Sequence, residues 1–140
     1  MPPTLAYLAL GSNLGDRARH LEFARQELDL LPESKVVAQS SIEETVPLGG
    51  MDQPAYLNQM ILLQTSLDPA SLLAGCRAIE EAAGRIRRER WGSRTLDIDI
   101  VRYGDEQISL PGLTIPHPGL NEREFWQREI REIERSSPSF

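Results

Sequence analysis

The hydrophobic positions of this chain fall into unbroken apolar runs separated by stretches with helical spacing. Leu5–Leu10 is apolar throughout, which is typical of a central strand buried on both faces. Residues 111–118 contain three prolines and are expected to be irregular. Other strands are predicted over residues 35–42, 56–66, 95–101 and, as a short strand, 107–110.

Helical spacing predicts three helices. The first follows Asp16, a suitable N-cap, and repeats apolar residues from Leu21 to Leu31. The second opens on Asp68 and a proline at the first helical position, and Gly84 is expected to end it. A third is expected over residues 122–135, before a Ser/Pro tail.

The main elements follow the order β-α-β-β-α-β. This order predicts an α+β, ferredoxin-like fold, in which helices pack on both faces of a mainly antiparallel sheet. A length of 140 residues indicates a single domain over residues 1–140. Because that fold hosts many activities, function has to be inferred from the site.

Composition restricts the class of protein. A net charge of −6 argues against general affinity for nucleic acid. Cys76 is the only cysteine, which excludes an internal disulfide and suits a reducing compartment. The apolar run at the start is too short for a membrane span and lacks a basic leader, so a cytoplasmic protein without membrane partners is expected.

Two acidic residues interrupt the apolar run of residues 95–101. Asp97 and Asp99 share one face of the predicted strand, and Ile98 points to the other. Carboxylates about 7 Å apart on a half-buried surface repel each other and resist desolvation, so a compensating charge is required.

A basic cluster directly precedes this acidic pair. Residues 85–94 contain five arginines, although the chain as a whole carries a net negative charge. Hard divalent cations prefer carboxylate oxygens and phosphates suit arginine forks, so the combination indicates a metal–polyphosphate site acting on a nucleoside triphosphate. The alternative is that the arginines only neutralise Asp97 and Asp99 as structural ion pairs.

Further polar and aromatic candidates surround this region. Tyr56 and Asn58 share a strand face beside a glycine-bearing loop, and could hold a flat heterocycle or simply fill the core edge. His117 is held between two prolines and suits a hydrogen bond to phosphate. Arg123 offers a second phosphate contact, Phe125 an aromatic face, and Trp91 a lid.

Several of these motifs occur together, in order, over residues 5–125, and there the chain resembles the 6-hydroxymethyl-7,8-dihydropterin pyrophosphokinase family of the folate pathway. The motifs are Gly11-Ser12-Asn13-Leu14, residues 45–48 with 52–54 and 56–58, residues 84–87 and 90–92, residues 94–100, and Pro116-His117.

The resemblance implies transfer of pyrophosphate from ATP to the pterin alcohol, with two Mg²⁺ ions and release of AMP. It implies a metal site at Asp97 and Asp99, which with Arg85 and Arg94 form the catalytic set. It implies ATP contacts at Glu80, Arg85, Arg87, Trp91, Arg94, Ile100, His117 and Arg123. It implies pterin contacts at Thr45, Val46, Leu48, Tyr56, Asn58, Trp91 and Phe125.

The chain departs from the family pattern in several places, which include Val46, where proline is common, and Pro118, where a tyrosine can follow the histidine. The arginine loop is about one residue short. Arg77 and Gly112 replace groups usually found near the nucleotide. The segment 126–140 is unusually charged, so that its helix offers only a narrow apolar stripe to the sheet. A monomer is expected, and a dimer through this helix is a further hypothesis.

Two other functions compete with this prediction. A ferredoxin-like RNA-binding module would use Trp91 and the arginines, but the acidic charge and the lack of an RNP-type aromatic strand weigh against it. A metal-dependent transferase of nucleotide sugars would also use two aspartates, and would be indifferent to pterin.

Overall fold

The computed structural model describes residues 2–46, 55–86 and 95–136. The helices and strands, in chain order, are β1 Thr4–Ser12, α1 Arg17–Asp29, β2 Ser34–Gln39, β3 Glu43–Thr45, β4 Tyr56–Thr65, α2 Pro69–Ile86, β5 Asp97–Tyr103, β6 Ile108–Leu110, β7 Leu113–Ile115, a 3-10 turn Pro118–Asn121, and α3 Glu124–Ser136.

The main sheet has the order β2-β4-β1-β5, and β3 continues alongside β4. All of its pairings are antiparallel, which confirms the predicted α+β class with a mainly antiparallel sheet. The sequence predicted that β1 is a central strand because it is apolar throughout. This prediction is confirmed, since β1 lies between β4 and β5. Nothing in the described residues conflicts with the finer ferredoxin-like assignment, which stays a prediction.

Helices cover both faces of this sheet. On the rear face, Leu8 and Ile61 of the sheet pack with Leu21 of α1 and Leu72 of α2. On the front face, Met60 and its neighbours pack with residues of α3. The apolar stripe of α3 is buried on the chain's own sheet, with Trp126, Ile130 and Ile133 no more than 4% exposed.

Caps fix the helix starts as predicted. Oδ1 of Asp16 accepts a hydrogen bond from the Arg19 amide, and Oδ1 of Asp68 accepts one from the Ser71 amide. Gly84, however, does not end α2, which continues to Ile86. Gly84 does not adopt the positive φ of a C-cap glycine, and Ala83 beside it is fully buried, so packing extends the helix.

Two strand predictions need correction. The strand expected over 35–42 is divided at Ser40. The Ser40 amide still donates to the Met60 carbonyl oxygen, but the Met60 amide donates to the Ser40 hydroxyl and not to its carbonyl oxygen. The segment 111–118 is not irregular throughout, since Leu113–Ile115 forms β7 with β6. Gly112, at φ 75°, turns the chain between these strands. In the described parts of the chain, every helix is too short or too polar to cross a bilayer.

Candidate active site

Asp97 and Asp99 lie on the front face of the sheet, beyond the end of the core beneath α3. β1 sets their position, because Gly11 pairs with Asp97 and Ala9 pairs with Asp99. Ile98 and Ile100 are buried on the rear face, as the alternation predicted. The Asp99 side chain is 41% exposed, so its charge remains accessible to a ligand.

Two cavities meet at this acidic pair. The first, here called the β3 cavity, has a volume of about 250 Å³. The second, the β7 cavity, has a volume of about 580 Å³. Asp97 and Asp99 line both cavities. A group bound at the two carboxylates would therefore face the occupants of both cavities.

The β3 cavity combines an amide, a hydroxyl and three aromatic side chains, those of Tyr56, Phe125 and Trp126. Nδ2 of Asn58 donates to Oγ1 of Thr45 at 2.6 Å, which leaves the side-chain carbonyl oxygen of Asn58, Oδ1, as an acceptor. Thr45 is paired with Tyr56 across the β3–β4 ladder. The remaining predicted pterin residues on this wall, Val46 and Phe125, also line the cavity.

Gly11 of β1 shapes the floor of the β3 cavity. A Cβ atom at this position would lie 3.5 Å from Oδ1 of Asn58 and 3.6 Å from the Tyr56 ring. These are ordinary contact distances, so a side chain would fit the fold but occupy cavity space. The glycine thus keeps the floor open beside the Asn58 acceptor.

The β7 cavity is lined by the predicted nucleotide residues Glu80, Ile100 and His117. Oε2 of Glu80 accepts a hydrogen bond of 2.7 Å from the Ile98 amide, between the two aspartates. β5 is an edge strand, so this bond satisfies an amide that the sheet leaves unpaired. Glu80 therefore fixes the backbone that presents the acidic pair.

Arg77 and Gly112, two departures from the family pattern, lie against each other in this cavity. A Cβ atom on Gly112 would come within 2.8 Å of Nη2 of Arg77. The absence of a side chain at residue 112 makes room for the guanidinium. The cavity thereby gains a cation from α2 next to the loop that carries Gly112.

His117 has a defined orientation. Its Nδ1 atom accepts a hydrogen bond of 2.9 Å from the Gly119 amide, so in the neutral ring Nε2 carries the proton. Nε2 lies 3.7 Å from Oδ1 of Asp99, beyond hydrogen-bond distance. The ring also packs edge-on to Trp126, with centroids 5.0 Å apart. His117 therefore presents one N–H group to the β7 cavity.

Arg123 also contacts Trp126. Its guanidinium carbon lies 4.5 Å from the Trp126 ring centroid, in a cation–π contact. Arg123 lines the β3 cavity, whereas His117 lines the β7 cavity. A Cβ atom on Gly119 would lie 3.1 Å from the His117 ring and 3.2 Å from the Arg123 guanidinium. The two predicted phosphate ligands therefore flank one residue at the boundary between the cavities.

Trp126 is a site residue that the sequence did not single out. It is 3% exposed and contacts His117, Arg123 and Phe125. Its position after Phe125 at the start of a predicted helix was the available signal, but it was interpreted only as part of an apolar stripe.

Five predicted site residues cannot be placed by their side chains. Leu48, Arg87, Trp91 and Arg94 lie outside the described residues, and for Arg85 only the backbone, in the last turn of α2, is described. Their roles remain those implied by the resemblance.

The charged helix α3 holds β3 in place. Nη2 of Arg128 donates to Oε1 of Glu43 at 2.6 Å, and the Glu132 carboxylate accepts from the amide and hydroxyl of Ser41 at 2.8 and 3.0 Å. Because β3 also carries Thr45, the charges of residues 126–136 support a wall of the β3 cavity.

Glu129 is buried beneath these contacts at 2% exposure. Burial raises the pKa of Glu129 to about 9, and the Glu43 carboxyl adds to the rise. Within the described ranges neither carboxylate oxygen of Glu129 makes a hydrogen bond of standard geometry. The contact with Glu43 is therefore loose, and burial is the main cause of the raised Glu129 pKa. Burial also tends to raise the pKa of Glu43. Contacts with Glu129 and Arg128 outweigh that effect, so the pKa of Glu43 lies below its usual value.

The donor set at the acidic pair fits magnesium. Among residues 2–46, 55–86 and 95–136, no three His, Cys, Asp or Glu side chains form a metal cluster. Mg²⁺ is usually bound by one or two carboxylates, with phosphate oxygens and water completing its coordination. Asp97 and Asp99, beside a cavity lined by Arg77 and His117, suit this mode and do not suit a metal held entirely by the protein.

The fold and the site together define a small α+β protein with two adjoining cavities that share an acidic pair. A model of the family described as 7,8-dihydro-6-hydroxymethylpterin-pyrophosphokinase matches residues 7–135. The chain belongs to this family, which confirms the predicted resemblance and makes it a pyrophosphokinase of folate biosynthesis.

Individual relatives agree with this assignment. A protein of Methylorubrum extorquens is 43% identical over 93% of this chain and 82% of its own length. A protein of Haemophilus influenzae is 44% identical over 86% of this chain and 75% of its own length, and one of Bacillus subtilis is 43% identical over 92% and 77%. All three are named 2-amino-4-hydroxy-6-hydroxymethyldihydropteridine pyrophosphokinase.

Proposed function

We propose that this protein transfers pyrophosphate from ATP to 6-hydroxymethyl-7,8-dihydropterin and releases AMP, with Mg²⁺ bound by Asp97 and Asp99. The observation that carries the proposal is the acidic pair in the wall common to both cavities. A reaction between two bound substrates needs their reacting atoms to meet, and this pair stands at the meeting point.

The β3 cavity is assigned to the pterin. A flat heterocycle is recognised by aromatic faces and by edge hydrogen bonds, which Tyr56, Phe125 and the Asn58 carbonyl oxygen can supply. Leu48 and the lid Trp91 are proposed as further contacts on the basis of the resemblance.

The β7 cavity is assigned to ATP. It is the larger cavity and contains the N–H of His117 and the Arg77 guanidinium, both suited to anionic oxygens. Ile100 supplies an apolar surface for the nucleoside, and Arg123 lies where the cavities meet. We propose that Arg85, Arg87 and Arg94 add phosphate contacts.

In the reaction, the hydroxymethyl oxygen forms a bond to the β-phosphorus of ATP. The bond from that phosphorus to the α–β bridging oxygen breaks, AMP leaves with the electron pair, and the hydroxyl proton is lost to water. Asp97 and Asp99 would hold the magnesium, which when bound would neutralise phosphate charge and favour loss of the hydroxyl proton. The side chains of the protein supply positioning and charge stabilisation, because phosphoryl-type transfer needs little covalent assistance.

One assay tests this proposal directly. The protein is incubated with ATP, MgCl₂ and the dihydropterin, and AMP is measured by chromatography. AMP that depends on both pterin and magnesium is the expected result. Binding of a UDP-sugar with no response to pterin would instead favour the nucleotide-sugar transferase, and salt-sensitive RNA binding without AMP would favour the RNA module.

We propose further that the protein is a cytosolic monomer. Burial of the apolar residues of α3 on the sheet of the same chain supports a monomer over a dimer through that helix. Cys76 is a buried free thiol, which suits a reducing compartment. Light scattering that gives twice the chain mass at working concentration would contradict the monomer.

A further inference from the structure

We propose that Arg17 is a positioning residue for the β3 cavity: from the rear face of the sheet, it holds together the two chain segments that present Thr45 and Tyr56. The proposal deepens the proposed function and rests on it, because it takes the β3 cavity as the pterin site. Arg17 itself lines neither cavity.

The contacts of Arg17 are short and converge on two segments. It is the first residue of α1, and its Nη1 atom donates to Oε2 of Glu44 at 2.8 Å and to the Ala55 carbonyl oxygen at 2.7 Å. One nitrogen with two N–H groups can serve both acceptors at once. The side chain is 29% exposed, whereas that of Arg19 on the same helix is 81% exposed.

These two acceptors adjoin the pair that lines the cavity. Glu44 precedes Thr45 in β3, Ala55 precedes Tyr56 in β4, and Thr45 pairs with Tyr56. Because strand side chains alternate between faces, Glu44 points to the rear when Thr45 points to the front. The guanidinium therefore links the Glu44 side chain of β3 to the main chain at Ala55, just before β4, behind the Thr45–Tyr56 pair.

β3 needs such support because it is short. It has three residues, and its ladder with β4 has only three paired positions. Short ladders without packing are marginally stable in water. On the front face, α3 holds the start of β3 through the Arg128–Glu43 contact, and Arg17 holds its end from behind. Thr45 has to be fixed for Asn58 to keep its bond to Oγ1.

A simple surface ion pair is the competing explanation. Such pairs typically contribute about 0–1 kcal/mol to stability and nothing to a distant cavity. The bond to the Ala55 carbonyl differs, because it fixes main chain and does not require an acidic partner. If Arg17 only stabilises the fold, its loss will affect the two substrates equally.

The test compares Arg17→Ala with the matched variant Arg19→Ala, which removes the same charge two residues along the helix. For each, KM for pterin and for ATP is measured by AMP formation, and exchange of the β3 amides is measured by NMR. We expect Arg17→Ala to raise the pterin KM about tenfold, to change the ATP KM less than about twofold, and to speed β3 exchange. Arg19→Ala should match the wild type in the pterin KM, the ATP KM and the rate of β3 amide exchange.

Arg17→Lys provides the conservative variant and covers the case in which Arg17→Ala fails to fold. An ammonium group keeps several donors, so partial recovery of the pterin KM is expected. A pterin KM equal to that of Arg19→Ala would overturn the proposal, as would equal losses for both substrates. Faster β3 exchange with an unchanged pterin KM would also overturn it. Absence of AMP from the wild type would instead refute the proposed function.

Discussion

Nε2 of His117 lies 3.7 Å from Oδ1 of Asp99, while Nδ1 of the same ring is engaged by the Gly119 amide. The ring thus lies between the 3-10 turn and the acidic strand: Nδ1 is bonded within the turn, and Nε2 faces the β7 cavity. This division allows the two roles to be separated by mutation.

His117→Asn should weaken ATP binding about tenfold, because it keeps an acceptor near the Nδ1 position but removes the Nε2 donor. His117→Gln places an amide nearer the Nε2 position and should retain more ATP affinity. Isothermal titration with ATP and Mg²⁺ distinguishes the two variants. Equal losses, accompanied by equal falls in melting temperature, would show that the ring acts only as a support for the turn.

Replacing either acid with its amide should abolish turnover while the fold survives. Asp97→Asn or Asp99→Asn keeps the size of the side chain but removes the charge that a divalent cation needs, so AMP formation should fall on the order of a hundredfold or more. Circular dichroism should be unchanged, since both side chains lie in cavity walls outside the core.

Asp105→Asn is the matched control for the acidic pair. It removes the same charge from an exposed turn after β5 and should leave AMP formation unchanged. Undiminished turnover in Asp97→Asn or Asp99→Asn would refute the metal role of that residue.

Local sequence rules predicted the parts of the site that depend on one strand or one turn. The period of two in β5 placed Asp97 and Asp99 on one face, and capping residues located the starts of α1 and α2. Both acids line two cavities because of the register of β5 against β1 and the placement of β7. No local sequence pattern encodes that register or that placement.

The residues that sequence reasoning missed act through contacts between distant segments. Arg17 reaches Ala55, and Trp126 bridges His117 and Arg123, so neither role is visible in its own helix. Gly84 shows the opposite case, in which a correct local signal is overridden by the packing of a buried helical face.

Gly11→Ala should reduce pterin affinity selectively. The added methyl group would enter the floor of the β3 cavity at ordinary contact distances from Asn58 and Tyr56, so the fold is expected to tolerate it. We expect the pterin Kd to rise about tenfold, since crowding a packed cavity costs about 1–3 kcal/mol.

The ATP Kd serves as the internal control for Gly11→Ala, because the β7 cavity does not include this residue. Titration with each substrate separates the two effects. A pterin Kd equal to that of the wild type would place the pterin outside the β3 cavity.

Glu129 should make the stability of the protein fall as pH rises. Its pKa is about 9 in the fold and about 4.5 when unfolded, so the unfolded chain releases the proton first. The stabilisation is complete below pH 4.5 and is lost progressively up to about pH 9, at no more than about 1.4 kcal/mol per pH unit. Glu43, with its lowered pKa, acts in the opposite direction and only at acid pH.

Glu129→Gln removes this titration and tests its cause. The groups whose charges act on Glu129 are Glu43, Arg128 and Glu132, and all three remain in the variant. Urea unfolding between pH 5 and 9 should show a steep fall in the free energy of unfolding for the wild type and a flatter profile for Glu129→Gln. Glu134→Gln, on the exposed side of α3, should follow the wild type. Equal slopes for wild type and Glu129→Gln would mean that Glu129 ionises in the fold at its usual pH, and that water reaches the space between α3 and β3.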